Sequence, residues 1–339
     1  MALFSFRSDR RQPEAALRNV RDGDGDRIRR ILQTAFEDEN ERMGMRTTRL
    51  PVMTDRLLGH YLSRAPQVSF VAEARGGPIG FCLACRWGDV AWLGPIAVLP
   101  PVQGRGVGRR LVEASVAALR DRGVKTLGLE TMPRSYRNLQ FYTELGMAVS
   151  GMTWDVSRYY GNDEGGPEPV LGPGAGVGLR SVAESSGGER GRLLEEVTRL
   201  SKRVSGALDY AGEVERTLDH RLGDAFVAYT GEVPCGFALV HTEPYAREEE
   251  PGTGRVNVAV ALPLEGEETP GRALIAALER ELIGEDIEAL IFRVPSAETS
   301  MVRWLTGSGF RISHSDARMC FEDLPEERRP DVLHLNKWE

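Results

Sequence analysis

The stretch IAVLPPVQGRGVGRRLVEASVAAL, residues 96–119, decides how this chain is read. Its apolar start ends at Val98 and reads as a strand. From Gly108 onward the apolar residues recur at helical spacing. Between them, Gln103-Gly104-Arg105-Gly106-Val107-Gly108 forms a turn. Small residues let successive backbone N–H groups converge without Cβ obstruction. The positive end of the following helix adds to them, which makes an anion cradle. Arg105, Arg109 and Arg110 place positive charge around it. The combination points to phosphate or pyrophosphate. A Rossmann loop does not fit, because the turn follows the fourth expected strand and no acidic ribose partner ends the next one. A P-loop does not fit either, because no Gly-Lys-Ser/Thr follows.

Working outward, the periodicity predicts a short strand at Leu17–Val20 and helices at Asp22–Phe36 and Thr54–Arg64. Strands are predicted at Val68–Ala74, Ile79–Arg86 and Val90–Val98. After the turn and its helix, to about Arg122, come a strand at Thr126–Thr131, a helix at Ser135–Leu145 and a strand near Ala148–Val156. This is a mixed α/β order. A Gly/Pro-rich stretch, GNDEGGPEPVLGPGAGVG (161–178), then reads as a linker.

The second half repeats the first. FVAEARGGPIGFCL (70–83) aligns with FVAYTGEVPCGFAL (226–239) at an offset of 156. Later matches, Pro100/Pro263, Gly108/Gly271, Leu111/Leu274 and Gly146/Gly309, hold at an offset of 163. The seven additional residues fall in the loop EPYAREEEPGTG (243–254). Two ordered blocks separated by one insertion indicate duplication.

The segment around Gln103, Gly106 and Gly108, with Val98 and Pro100 ahead of it, resembles motif A of the GNAT acetyltransferase superfamily. The resemblance covers roughly residues 15–156 and includes NLQFYTELGM (138–147). It implies tandem GNAT folds, each a mixed, mostly antiparallel sheet flanked by helices, the second degenerate. Residues 1–160 would be catalytic, 161–177 a linker, 178–325 the degenerate copy and 326–339 a tail. It also implies an N-acetyltransferase with acetyl-CoA as cosubstrate and no metal. The amides of Gln103, Gly104, Arg105, Gly106, Val107, Gly108 and Arg109 would hold the pyrophosphate. The backbone of Ile96, Ala97 and Val98 would pair with the pantetheine arm like an extra strand, and Asn138 would assist. Tyr142 falls on the residue that protonates the leaving thiolate. The family often has Asn seven residues before this Tyr, where this chain has Ser135.

Direct transfer also needs an oxyanion donor and a route for the amine proton. An amide near Val98, aimed inward by a strand irregularity, suits the first. For the second, Glu130 is the leading candidate, with Glu37, Asp89 or a water relay as alternatives. In FEDENERMG (36–44) the carboxylates Glu37, Asp38, Glu39 and Glu41 suit a cationic amine, so Glu37 and Glu41 are candidate acceptor-binding residues. In the second copy QGRGVG becomes GEETPG (266–271), which places Glu267 and Glu268 at the cradle and removes a donor at Pro270. Tyr142 becomes Leu305. The copy keeps its apolar framework and is expected to wall the acceptor site.

The whole chain has 339 residues, 41% hydrophobic and 27% charged, enough for two soluble globular units. A net charge of −7 gives no general attraction to nucleic acid or anionic membrane. No apolar run is long enough to span a bilayer. Cys82 and Cys85 form a CxxC inside an apolar strand, where residues three apart face opposite ways, so they read as buried rather than zinc-binding. The expected setting is the cytoplasm, with a small amine or peptide as acceptor and the chain a monomer or homodimer. Two other readings stay open: a non-catalytic acyl-CoA sensor, and a transferase using a different acyl donor.

Overall fold

The structure, a computed structural model, describes residues 15–45, 50–160, 169–172, 176–249, 251–266, 269, 271–284 and 286–336. The first repeat contains β1 (Ala16–Asn19), α1 (Gly25–Arg42), α2 (Asp55–Arg64), β2 (Phe70–Ala74), β3 (Gly77–Trp87) and β4 (Val90–Val98). It continues with α3 (Val107–Arg120), β5 (Thr126–Thr131), α4 (Tyr136–Thr143) and β6 (Met147–Tyr159). The second repeat has the same order: β7 (Val177–Ser181), α5 (Gly187–Val204), α6 (Ala211–Asp219), β8 (Gly223–Thr230), β9 (Val233–His241) and β10 (Thr253–Ala261). Then come α7 (Arg272–Leu282), β11 (Ala289–Pro295), α8 (Thr299–Gly307), β12 (Arg311–Phe321) and a short β13 (Leu333–Asn336).

Local chemistry explains the boundaries. Thr54 caps α2 by accepting from the Leu57 amide, and Ser135 caps α4 by accepting from the Asn138 amide at 3.2 Å. Helix α1 runs to Arg42, past the Phe36 that the periodicity marks as its end. An Asp38–Arg42 pair at 2.8 Å, one turn apart, supports the extra turns. Strand β3 alternates between faces: Phe81 and Leu83 enter the core under α1 and α2, and Cys82 and Ala84 the core under α3. Cys85 and Trp87 enter a core shared with α5 of the other repeat. Cys82 and Cys85 therefore sit in different cores. Burial pushes both thiols up to about 12.

The described strands form one sheet in the order β1-β2-β3-β4-β5-β12-β6-β11-β10-β9-β8-β7, with β13 alongside β10. The two repeats exchange their last strands. β12, from the second repeat, pairs with β5 of the first, Ala317 opposite Thr131 and Cys320 opposite Gly128. β6, from the first, pairs with β11 of the second from Ala289–Tyr159 to Pro295–Thr153. β6 and β12 pair with each other through the middle of the sheet.

Registers confirm the duplication residue by residue. Gly80 opposes Val98 in β3–β4, and Gly236 opposes Ala261 in β9–β10. Leu111 packs on Gly80 as Leu274 packs on Gly236. Both β4 and β10 pair in parallel with the next strand only over their first half, Val90–Leu93 and Thr253–Val256 respectively. Each strand then slips register, between Leu93 and Ile96 and between Val256 and Val258. Pro95 explains the first slip, since it has no N–H for the ladder. The irregularity expected near Val98 thus lies at Gly94–Pro95 instead. Past the slip, the second half of each strand parts from its parallel neighbour and forms one side of a wedge.

Candidate active site

The glycine turn lies at the mouth of the first wedge. Gly104 has φ +70° and Gly106 φ +78°, the left-handed region that favours glycine. No heavy atom stands within 4 Å of where a Cβ would be at Gly104. α3 starts at Val107 with Gly106 as its N-cap, so the amides of its first turn have no partner within the helix. Gln103, Gly104, Gly106, Gly108 and Arg109 all line a cavity of about 490 Å³. Ile96, Ala97, Val98, Asn138 and Tyr142 line the same cavity. Arg105 and Val107 belong to the turn but not to the cavity lining. Arg110, counted with the cradle from the sequence, turns away and donates to the Ala15 carbonyl at 2.9 Å.

The wedge wall presents backbone donors. The Leu99 amide donates to the Ile79 carbonyl on β3 at 2.9 Å. Strand alternation then turns the Val98 and Ile96 amides away from β3 and into the wedge. The Gln103 side-chain amide donates to the Val98 carbonyl at 2.8 Å and fixes the turn against the strand. Asn138 donates to Thr131 at 3.3 Å. Ser135, which stands where the motif often has Asn, serves as the α4 cap and donates to Glu39. Tyr142 is buried, and desolvation raises its pKa, with Cys82 adding to the shift. The phenol is therefore held protonated, the state of a proton donor. It lines this cavity and a second one of about 520 Å³ on the other side of the wedge.

Residues 26–147 match the model of the acetyltransferase (GNAT) family. The first repeat is a GNAT domain. A Pyrococcus horikoshii protein assigned to the acetyltransferases superposes with a TM-score of 0.63 at 16% identity, over 95% of this chain and 94% of its own. A GCN5-related N-acetyltransferase from Sphaerobacter thermophilus gives 0.58 at 16%, over 93% and 98%. A tandem GNAT protein from the clavulanic acid biosynthesis pathway gives 0.55 at 14%, over 96% and 100%. These likenesses extend the GNAT fold to both halves of the chain. A search of curated protein sequences gives no match.

The second cavity of the GNAT domain is built by both repeats. Its walls include Leu32, Phe36, Leu50, Met53, Leu57, Tyr61 and Ile96 from the first repeat, and Tyr245, Ala246, His314 and Asp316 from the second. The insertion loop after β9 brings Tyr245 over the cavity. Its backbone bonds to the first repeat, Thr54 N to Tyr245 O at 3.0 Å and Arg247 N to Val52 O at 2.8 Å. Glu248 accepts from the Val52 amide at 2.7 Å.

Glu130 lines this cavity, but its carboxylate is engaged. It accepts from Arg318 at 2.7 Å and from Thr153, and its side chain is 3% exposed. Arg318 is wholly buried, held also by Glu326 at 2.7 Å, with its guanidinium over the Trp92 ring at 4.4 Å. Glu37 accepts from the Leu50 amide at 3.0 Å and fastens the loop after α1. Glu41 is exposed on the last turn of α1. Neither Glu37 nor Glu41 is in the lining of either cavity. Asp38 pairs with Arg42, and Asp89 with Arg86 at 3.0 Å, both away from the wedge. Glu39 lines the cavity beside the glycine turn. His314 and Asp316 had no signal in the sequence reading. They lie about 200 residues from the glycine turn, on a strand whose neighbours only the exchange determines.

In the second repeat the wedge is filled. β13 lies along β10 there, with Ala261 opposite Leu333, Ala259 opposite Leu335 and Val258 opposite Asn336. Ala259–Ala261 are the counterparts of Ile96–Val98. Leu333 and Leu335 are buried, and a Cβ on Gly271 would meet Leu333 at 2.2 Å. Glu267, Glu268 and Pro270 lie outside the described residues. Leu305 takes the place of Tyr142 on α8. Among the described residues no cluster of His, Cys, Asp and Glu could hold a metal, and no helix is long and apolar enough to cross a membrane.

Proposed function

We propose that this chain transfers the acetyl group of acetyl-CoA to a primary amine of a small molecule or peptide, by direct attack in a ternary complex. One observation carries the reading: Tyr142 and Ile96 line two cavities together, one containing a glycine cradle at a helix start and one without it. Acyl-CoA-dependent N-acetyl transfer is the general chemistry of GNAT domains, and this geometry suits its parts. The cradle amides and Arg109 would hold pyrophosphate. The amides of Ile96 and Val98 would meet the pantetheine and thioester, placing a donor for the developing oxyanion. Tyr142 would protonate the thiolate. The amine would enter from the second cavity.

The test is a screen of amines with acetyl-CoA, following free thiol. Turnover with at least one amine, one acetyl transferred per thiol released, supports the proposal. Tight acetyl-CoA binding with no turnover across the library would favour the acyl-CoA sensor instead.

A further inference from the structure

We propose that the second cavity seats a small primary amine with an apolar body, and that His314 on the exchanged strand β12 takes its proton while Asp316 positions His314. The inference rests on the acetyl-transfer reading and names its acceptor site.

The walls set the class of acceptor. Leu32 and Phe36 come from α1, Leu50 and Met53 from the following loop, Tyr61 from α2 and Tyr245 from the second repeat. Apolar and aromatic surface therefore faces the guest from several elements, in a volume of about 520 Å³ that suits a small molecule. A polyamine would need carboxylates spread along its length. Asp38, Glu39 and Glu37 at the end of α1 are turned to Arg42, Ser135 and the Leu50 amide, and Glu41 is not in the cavity lining.

Four charged or imidazole side chains are among the lining residues. Glu130, His314 and Asp316 line the cavity from the strands, while Arg29 lines it from α1 with its guanidinium paired to Asp26 at 3.1 Å and to Asp55. Arg318 claims Glu130. His314 Nε2 stands 3.2 Å from Asp316 Oδ2. The Asp316 side chain is 9% exposed and the imidazole 52% exposed. Histidine is the side chain whose ordinary titration lies nearest neutrality, which suits an imidazole to proton transfer. A half-exposed ring can pass that proton to solvent.

The step balances. The ammonium gives one proton to His314, leaving a neutral amine and an imidazolium beside the Asp316 carboxylate. The nitrogen lone pair forms the N–C bond to the thioester carbonyl as the C–S bond breaks. The thiolate takes the Tyr142 proton, and the surplus proton on the product nitrogen restores the phenol. His314 then releases its proton to solvent. Charged groups beside His314 are Asp316 on its own strand and Asp155 opposite it on β6, while Glu130, held by Arg318, and Arg29 of α1 line the same cavity.

Thiol release is measured with 2-phenylethylamine, hexylamine and spermidine as probes, and acetyl-CoA binding by calorimetry. The two apolar amines should exceed spermidine in kcat/KM by about tenfold or more, the scale on which apolar pockets discriminate. His314→Gln should lower kcat/KM by about 10²–10⁴ near neutral pH. The loss should shrink as pH rises and the free amine forms unaided. Asp316→Asn should move the acid limb of the profile to lower pH, because the imidazolium loses its counter-charge. Both variants should keep wild-type acetyl-CoA affinity. Full activity of His314→Gln, or a loss independent of pH, would overturn the role of His314. A preference for spermidine would overturn the acceptor class. Acetyl-CoA binding with none of the probes acetylated would overturn this acceptor assignment, while absence of acetyl-CoA binding would overturn the transfer reading beneath it.

Discussion

Ile96–Val98 and Ala259–Ala261 occupy one position in two copies of the same fold, yet their surroundings are opposite. The first edge faces a cavity that runs to a glycine cradle. The second is paired with Leu333–Leu335 of the same chain. Alternation makes the equivalence close. Leu262 donates back to Cys235 at 2.8 Å as Leu99 does to Ile79, so the amides of Ala259 and Ala261 face β13 as those of Ile96 and Val98 face the first wedge. A splayed strand exposes backbone donors and acceptors that need partners wherever they are buried. The first repeat offers that edge to a cosubstrate, in the reading proposed above. The second meets the need with its own backbone and seals it with two buried leucines. A duplicated fold can thus keep its splay while the protein's own chain fills it.

The largest expected effect comes from separating the repeats. A stop codon at Gly165 removes β12, which leaves β5 without its antiparallel neighbour and β6 without either partner. Size-exclusion chromatography should show aggregated protein. If residues 1–164 prove soluble, monomeric and active, the two repeats are independent and the comparison loses its structural basis.

Next is the difference between the cradles. Acetyl-CoA should bind with a stoichiometry of one per chain by calorimetry. Gly108→Glu should abolish it by placing a carboxylate in the first turn of α3, at a site where a Cβ meets only ordinary contacts. A second binding event that survives this change would show that the filled wedge still opens.

Tyr142→Phe should lower kcat by about 10²–10⁴ and leave acetyl-CoA affinity nearly unchanged, since the hydroxyl acts only as the thiolate forms. Unchanged turnover would assign that proton to water or another group. It would also remove the Tyr142–Leu305 difference from the contrast between repeats.

The mildest change is expected at the plug. Leu333→Ala should cost about 2–5 kcal/mol, the usual range for a buried leucine, seen as a lowered denaturant midpoint. The acetyl-CoA stoichiometry should stay at one. If stability is unaffected, β13 lies on the second repeat without sealing it.

Some of the site was legible because its signals are local. The turn at Gln103–Gly108 announces itself through glycines whose φ values favour no other residue, directly before a helix. The duplication is visible because matched turns and apolar positions recur at fixed offsets. The order of elements follows from periodicity within short windows. What holds the Glu130 carboxylate is non-local. Its place at the end of β5 is plain in the sequence, but the buried Arg318 that engages it lies 188 residues later.

By itself, the sequence determined two copies of one α/β repeat, with a glycine turn before a helix in the first copy and GEETPG in its place in the second. Only the tertiary structure decided which strand lies beside which. β12 alternates in the same way whether it pairs with its own repeat or the other, and Leu333–Asn336 is an ordinary short apolar segment. Pairing is fixed by edges and cores brought together from distant parts of the chain. For that reason the exchange of β6 and β12, the filled second wedge and the placement of His314 and Asp316 at the first cavity leave no mark that a window of sequence could reveal.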